Sequence, residues 1–131
     1  PRCNSARLRP APGWTGSPML TVAELSEYMR TADKLLSAAE RQDVIRYLAE
    51  NPKAGDLMEG TGGVRKLRWG RGGQGKSGGV RVIYYFHDEA MPLYLLTLFA
   101  KGDRANLSKA ERNELADLTA LLVKAWKGKR L

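Results

Sequence analysis

Apolar residues recur along this chain with two different periods, and the change from one to the other divides it into parts. From Ala23 to about Leu36, Leu25, Tyr28, Met29 and Ala32 fall on one stripe at spacings of three and four, which predicts an amphipathic helix. A short strand over Met19 to Val22 is expected before it. Ser37-Ala38-Ala39-Glu40 has capping-box spacing: the serine oxygen and the glutamate carboxylate can satisfy amides left open in a first helical turn. The helix it opens carries Val44, Ile45 and Leu48 and is expected to stop at Asn51-Pro52, because a proline disfavours helix in the residue before it. The stretch KAGDLMEGTGG reads as a loop. Then the period shortens to two. VRKLRW (64–69), VRVIYYF (80–86) and LYLLTLFA (93–100) predict three strands, with HDEAMP as the turn between the last two. Ser108-Lys109-Ala110-Glu111 repeats the capping-box spacing, and Leu115, Leu118, Leu122, Ala125 and Trp126 form the buried stripe of a last helix.

Helices, then an antiparallel meander, then a helix is the order of an α+β domain. The expected architecture has N-terminal helices and a C-terminal helix packed on one face of a small, mainly antiparallel sheet, with the other face free. No internal repeat is visible. Residues 1–18, PRCNSARLRPAPGWTGSP, contain no apolar stretch of signal-peptide type. They read as a disordered extension or a vector remnant, with Met19 as the native start, and residues 19–131 as a single domain. No apolar run approaches the ~20 residues of a membrane span. Cys3 is the single cysteine, which excludes an internal disulfide and a thiolate metal cluster and agrees with a reducing cytoplasm.

Charge changes the picture more than composition does. The 131 residues carry a net +8, unevenly placed. Residues 21–59 hold five cations against eight acids, whereas Gly60 to Phe86 holds Arg65, Lys66, Arg68, Arg71, Lys76 and Arg81 and no acid. An acidic helical part beside a basic sheet part steers a polyanion to one side of the molecule, and nucleic acid is the commonest polyanion. A charge run is usually just a solvated face; the absence of carboxylates and the placement on strands argue otherwise here. Strand alternation puts Val64, Lys66 and Arg68 on one face, opposite Leu67 and Trp69. It puts Arg81, Ile83 and Tyr85 on one face, opposite Val80, Val82, Tyr84 and Phe86. Arg81 stands among apolar neighbours, and burying an arginine is costly unless it is paired, so function is favoured for it over a solvated surface. Trp69 and Trp126 are most simply core residues. His87, the sole histidine, belongs to the HDE turn and cannot alone supply the acid–base pair of an ordinary ribonuclease.

One motif invites a wrong conclusion. Gly70-Arg71-Gly72-Gly73-Gln74-Gly75-Lys76-Ser77 satisfies the phosphate-loop pattern G-x-x-x-x-G-K-[ST]. That chemistry needs a helix N-terminus directly after the loop to cradle phosphates. Here Gly78-Gly79 and a β-branched run follow, so a strand is expected and nucleotide hydrolysis is excluded.

TGGVRKLRW, GKSGGVRVIYYFHDE, LYLLTLFAKGD and the following LSKAE helix together resemble the RelE/HigB superfamily of bacterial toxins, the HigB branch most closely, from about Met19 to Lys127. The resemblance implies a RelE-like α+β domain and a type II toxin that cuts messenger RNA in the ribosomal A site, with ribosome and messenger as partners. It also implies an antitoxin with a helix-turn-helix domain, and neither a cofactor nor a membrane partner. The cousin ParE-like branch keeps the fold but poisons DNA gyrase, and a non-catalytic RNA-binding module is the remaining alternative. By resemblance, Lys66 takes a base-like role, Arg81 stabilises the phosphate, Arg68 binds the neighbouring phosphate, and Lys101 and Arg104 stand for a catalytic cation after the third strand. Arg65, Arg71, Lys76 and Tyr85 are the surrounding RNA contacts. Asn106-Leu107-Ser108 stands where some members carry a catalytic tyrosine. This cation set is chemically sufficient: the 2′-hydroxyl is RNA's own nucleophile, and cleavage then needs a base, an acid and charge neutralisation at phosphorus. Lysines and arginines can supply all three where crowding lowers a lysine pKa.

Overall fold

The computed structural model describes residues 20–70, 79–100 and 107–129, which form β1 (Val22–Glu24), α1 (Ser26–Leu35), α2 (Ala38–Glu50), β2 (Asp56–Leu57), β3 (Val64–Trp69), β4 (Val80–Tyr85), β5 (Leu93–Ala100) and α3 (Lys109–Lys129). Both predicted capping boxes are made. Ser37 Oγ accepts from the Glu40 amide at 3.1 Å and the Glu40 carboxylate accepts from the Ser37 amide at 2.9 Å. Ser108 and Glu111 do the same at 3.1 and 2.8 Å. At the other end of α2 the Asn51 amide and side chain both donate to the Tyr47 carbonyl.

The first helix starts later than its periodicity predicts. Val22, Ala23 and Glu24 are all buried and run parallel to β5, in register with Leu93, Tyr94 and Leu95. The Leu25 amide extends that pairing to the Leu95 carbonyl at 3.1 Å, so the helix begins only at Ser26. β2, in the stretch expected to be loop, pairs Asp56 and Leu57 with Lys66 and Arg65.

The sheet order is β1-β5-β4-β3-β2, antiparallel except for β1 with β5. The register between β4 and β5 slips after Ile83: Ile83 faces Thr97 but Tyr84 faces Leu95, leaving Leu96 as the extra residue of a bulge.

Two cores lie on opposite sides of this sheet. Leu67, Val80, Val82, Tyr84, Leu95 and Leu98 pack with Tyr28 and Ala32 of α1 and Val44, Ile45 and Leu48 of α2. Val64, Ile83, Tyr85, Leu96 and Phe99 pack with Leu115, Leu118, Leu122 and Trp126 of α3. The α+β class holds, three helices on a mainly antiparallel sheet, but the placement of the C-terminal helix needs correction. It lies on the face opposite α1 and α2, because Ile83 and Tyr85 of β4, with Val64, Leu96 and Phe99, are apolar on that side too and need a cover of their own. Ala125 is exposed on α3, and the buried polar residue there is Thr119.

Polar ties fasten the first core. Glu24 is fully buried and accepts from Arg41 Nη2 at 2.9 Å, while Arg41 Nη1 pairs with Asp33, so one guanidinium joins β1, α1 and α2. Burial opposes the Arg41 charge, yet the hydrogen bond and charge of Glu24, aided by Asp33, outweigh it and hold the group above its ordinary value. Tyr84 Oη donates to the Pro52 carbonyl and accepts from the Gly55 amide, each at 2.8 Å, locking the connection after α2 to mid-sheet. Burial is the main reason its hydroxyl is pushed above the ordinary tyrosine range.

Candidate nucleic-acid interface

The antiparallel register of β3 and β4 sets the cations in rows. Arg68 lies directly across from Arg81, Lys66 from Ile83, and Val64 from Tyr85. On the far side of β4, Arg81 faces Phe99 and Ile83 faces Thr97. Cross-strand partners share a face, so Lys66, Arg68 and Arg81 stand together on the α3 side of the sheet, over a floor that includes Ile83 and Phe99. Like charges directly opposite one another destabilise a sheet, as Arg68 and Arg81 are, whereas Lys66 in the next row has Asp56 of β2 as its other cross-strand neighbour. Arg81 is 7% exposed, and its Nη1 donates to the Val80 carbonyl at 3.5 Å. Lys66 is half-buried and Arg68 exposed. Such a pair of arginines gains when an anion enters between them, and phosphate geometry suits their planar forks.

Arg65 does not join this group. It points to the opposite face, and its Nη1 donates to the carbonyls of Lys53 at 3.2 Å and Gly55 at 2.8 Å, tying the end of the α2–β2 connection to β3. Its placement is that of an anchor for that connection. Tyr85 is on the cation face but 5% exposed, with its hydroxyl 3.1 Å from His87 Nδ1. Burial, and then the charge of Asp88, push that hydroxyl above the ordinary range. His87 itself is exposed in the turn, 3.7 Å from Asp88. Arg71, Lys76, Lys101 and Arg104 lie outside the described residues. So does most of the phosphate-loop look-alike, but it leads through Gly79 into strand β4 rather than into a helix, which removes the geometry a nucleotide triphosphate would need. Gly79 passes so close to β3 that a Cβ there would stand 2.0 Å from the Trp69 carbonyl oxygen.

A model of the RelE toxins of RelE/RelB toxin–antitoxin systems matches residues 22–130, from the first residue of β1 through α3. The chain belongs to the RelE toxin family. It is therefore a toxin component of a toxin–antitoxin pair, and the sheet with its cation row is this chain's version of the RelE toxin fold. Among the described residues no helix is long and apolar enough to cross a membrane.

In this RelE-family domain the turn into β3 carries more structure than its glycine-rich sequence suggests. Thr61 is fully buried; its Oγ1 donates to the Met58 carbonyl at 2.7 Å and accepts from the Val64 amide at 3.1 Å. Gly62, at φ +76°, lies against α3, where a Cβ would come within 2.8 Å of Thr119 Oγ1. Thr119 Oγ1 donates to the Ala116 carbonyl at 2.9 Å and reaches the Thr61 carbonyl at 3.5 Å. The threonine-glycine-glycine motif thus fixes where β3 starts and how closely α3 approaches. Thr119 falls on the stripe, four residues after Leu115 and three before Leu122, and an apolar periodicity passes over it because it is polar.

Proposed function

We propose that this RelE-family toxin is a ribosome-dependent messenger-RNA endonuclease of the HigB branch, which stops translation by cutting without a metal ion. The family supports the coarse class, a ribonuclease toxin. The observation that carries the finer reading is the row Arg68–Arg81, with Lys66 in the next row of the same face. The substrate's 2′-hydroxyl attacks the adjacent phosphorus and gives up its proton toward Lys66, while the bond from phosphorus to the 5′-oxygen of the next nucleotide breaks. That oxygen takes a proton from the cation cluster and a 2′,3′-cyclic phosphate is left. Arg81 offsets the charge that builds on the phosphoryl oxygens and Arg68 grips the neighbouring phosphate; Lys101 and Arg104, which lie outside the described residues, keep the catalytic role that the family resemblance implies. With its one histidine exposed in a turn, the protein has little acid–base equipment of its own. Having the substrate strand held in line by the ribosome supplies the orientation such a site needs.

The partner is a helix-turn-helix antitoxin. It binds the α2 side and makes the toxin too bulky for the ribosomal site, leaving the cation face uncovered. The exposed Asp43, Arg46 and Tyr47 of α2 offer a mixed polar and aromatic surface for it. Titration calorimetry separates this from direct covering. Charge reversals on α2 should weaken antitoxin binding, whereas Arg81→Glu should change it little.

Primer extension on a translated messenger after brief expression tests the activity. Cuts at codon-related positions are expected. Intact messenger with arrested supercoiling would identify a gyrase poison of ParE type, and RNA retention without cuts would identify a binding module; either overturns the proposal.

A further inference from the structure

A groove of about 570 Å³ lies between the turn that opens β3 and the second half of α3. We infer that it is a nucleotide subsite of the toxin: a base of single-stranded RNA lies against the small residues of α3, with the edge of Tyr85 at the floor, while Lys124 and Lys127 hold its phosphates. The inference rests on the endonuclease reading and extends it by naming where the RNA strand runs beyond the cation row.

The walls come from residues whose smallness keeps the space open. Ala116, Ala120 and Val123 of α3 present a low apolar side, and Gly62 faces them. Gly62 and Gly63 both have positive φ, +76° and +112°. A Cβ at Gly63 would stand 3.2 Å from Cε1 of Tyr85, so glycine there lets the turn lie close along that edge of the ring, which at 5% exposure forms the floor of the groove. The Tyr85 hydroxyl shares one hydrogen bond with His87 Nδ1. A phenol both donates and accepts, so capacity remains for the edge of a base. Lys124 and Lys127 are exposed on the rim, and no carboxylate among the described residues lines the groove. A flat, largely apolar body with attached anions matches this lining, and the volume is within the ~300–1,000 Å³ of ligand sites.

Position argues for RNA over an acidic peptide. Tyr85 pairs with Val64, Ile83 with Lys66, and Arg81 with Arg68, so the groove continues the face that carries the cations. Successive rows on one strand face are about 7 Å apart, which puts Tyr85 roughly 13 Å from the Arg81 row. A strand whose reacting phosphate lies at Arg81 can reach the groove within a few nucleotides. Bases stacked on aromatic side chains with lysines along the backbone are the usual grip on single strands.

The test measures binding of 2′-O-methyl RNA oligonucleotides, which lack the attacking hydroxyl and cannot be cut, in a series from two to eight nucleotides. The wild-type toxin should bind the short members through the cation row and gain about tenfold once the strand reaches the groove. Lys124→Glu with Lys127→Glu should remove that gain and lower the salt dependence of log K by about 1.4, the share of two phosphates on a single strand. Ala120→Trp, at an exposed position, fills the groove without touching its charges and should also remove the gain. Loss in the lysine variant with full gain in Ala120→Trp would mean a diffuse cationic surface and overturn the subsite. An unchanged gain in both would overturn it as well, as would unchanged RNA binding with loss of antitoxin binding. Wild-type protein that binds no member of the series would overturn the subsite, whereas the endonuclease reading on which it rests falls only if primer extension shows no cuts.

Discussion

On the side covered by α1 and α2, β4 contributes Val80, Val82 and Tyr84, each fully buried, and helix residues such as Tyr28, Val44 and Leu48 are fully buried against that side. On the other side the same strand contributes Arg81, Ile83 and Tyr85, and α3 packs over Ile83 and Tyr85 with Leu115, Leu118, Leu122 and Trp126, all only half-buried. One face is closed and held further by Tyr84 and by the Glu24–Arg41 pair. The other is partly covered by α3 at the Val64–Tyr85 end, with a groove along the helix, and carries cations at the Arg68–Arg81 end. A strand with side chains alternating at period two can serve both purposes at once. The closed face supplies the stability that offsets two arginines set side by side on the other.

Truncation should expose that division most strongly. Leu48→Ala, in the closed core, is expected to lower unfolding free energy by about 3 kcal/mol. Leu118→Ala, half-buried under α3, should cost less than half as much because its neighbourhood is already partly wet. Urea unfolding of the two variants gives the comparison directly, and equal losses would break it.

Tyr84→Phe is the next in size. It deletes the acceptor for the buried Gly55 amide and the donor to the Pro52 carbonyl, for a loss of about 2 kcal/mol. It also sharpens the comparison through pH. The folded-state pKa of Tyr84 is raised above its ordinary value, so the neutral hydroxyl is the form that folding favours. Its contribution is therefore complete below about pH 10 and is lost as pH rises through the raised value. Stability should fall above pH 10 in the wild type and less steeply in Tyr84→Phe. An unchanged alkaline slope in the variant would move the effect to another group, Tyr85 being the first to examine.

The smallest effect is expected at His87. It is exposed in the turn after β4, and its one close contact within the site face is the Tyr85 hydroxyl. His87→Ala should leave RNA cutting within about twofold, since no proton transfer depends on it. A folded His87→Ala protein without cutting activity would place acid–base chemistry at the wrong end of the face.

Much of this was legible in the residues. β3, β4 and β5 follow their period-two runs, the two capping boxes begin the helices they promise, and the β3–β4 register sets Lys66, Arg68 and Arg81 on one face, a grouping that alternation leaves open between strands and the family layout implies. What escaped has physical reasons. Val22–Glu24 and Asp56–Leu57 are too short to show a period, and both are strands only because a longer neighbour pairs with them. The side taken by α3 could not be read from VRVIYY, because every residue of that strand is buried and neither alternate set is polar enough to mark a solvent face. Arg65 and Lys66 are adjacent cations, yet alternation sends them to opposite sides, one to backbone carbonyls and the other to the site face. The groove beside Gly62 depends on an approach between turn and helix that no local pattern encodes.

The central claim is that the α3-side cations perform chemistry rather than hold the fold together, and Arg81 tests it most directly. Arg81→Ala should be assayed in one preparation for thermal unfolding, for binding to programmed ribosomes and for cutting of the messenger those ribosomes carry. The expected result is a fall in cutting of about 10²–10³-fold, the usual cost of removing one group that stabilises developing charge. Ribosome binding and the melting temperature should stay near wild type, and Arg68→Ala and Lys66→Ala should show smaller losses in the same direction. Cutting that falls only in proportion to ribosome binding would make Arg81 a phosphate grip. Cutting that survives in a folded, ribosome-bound Arg81→Ala protein would contradict the account.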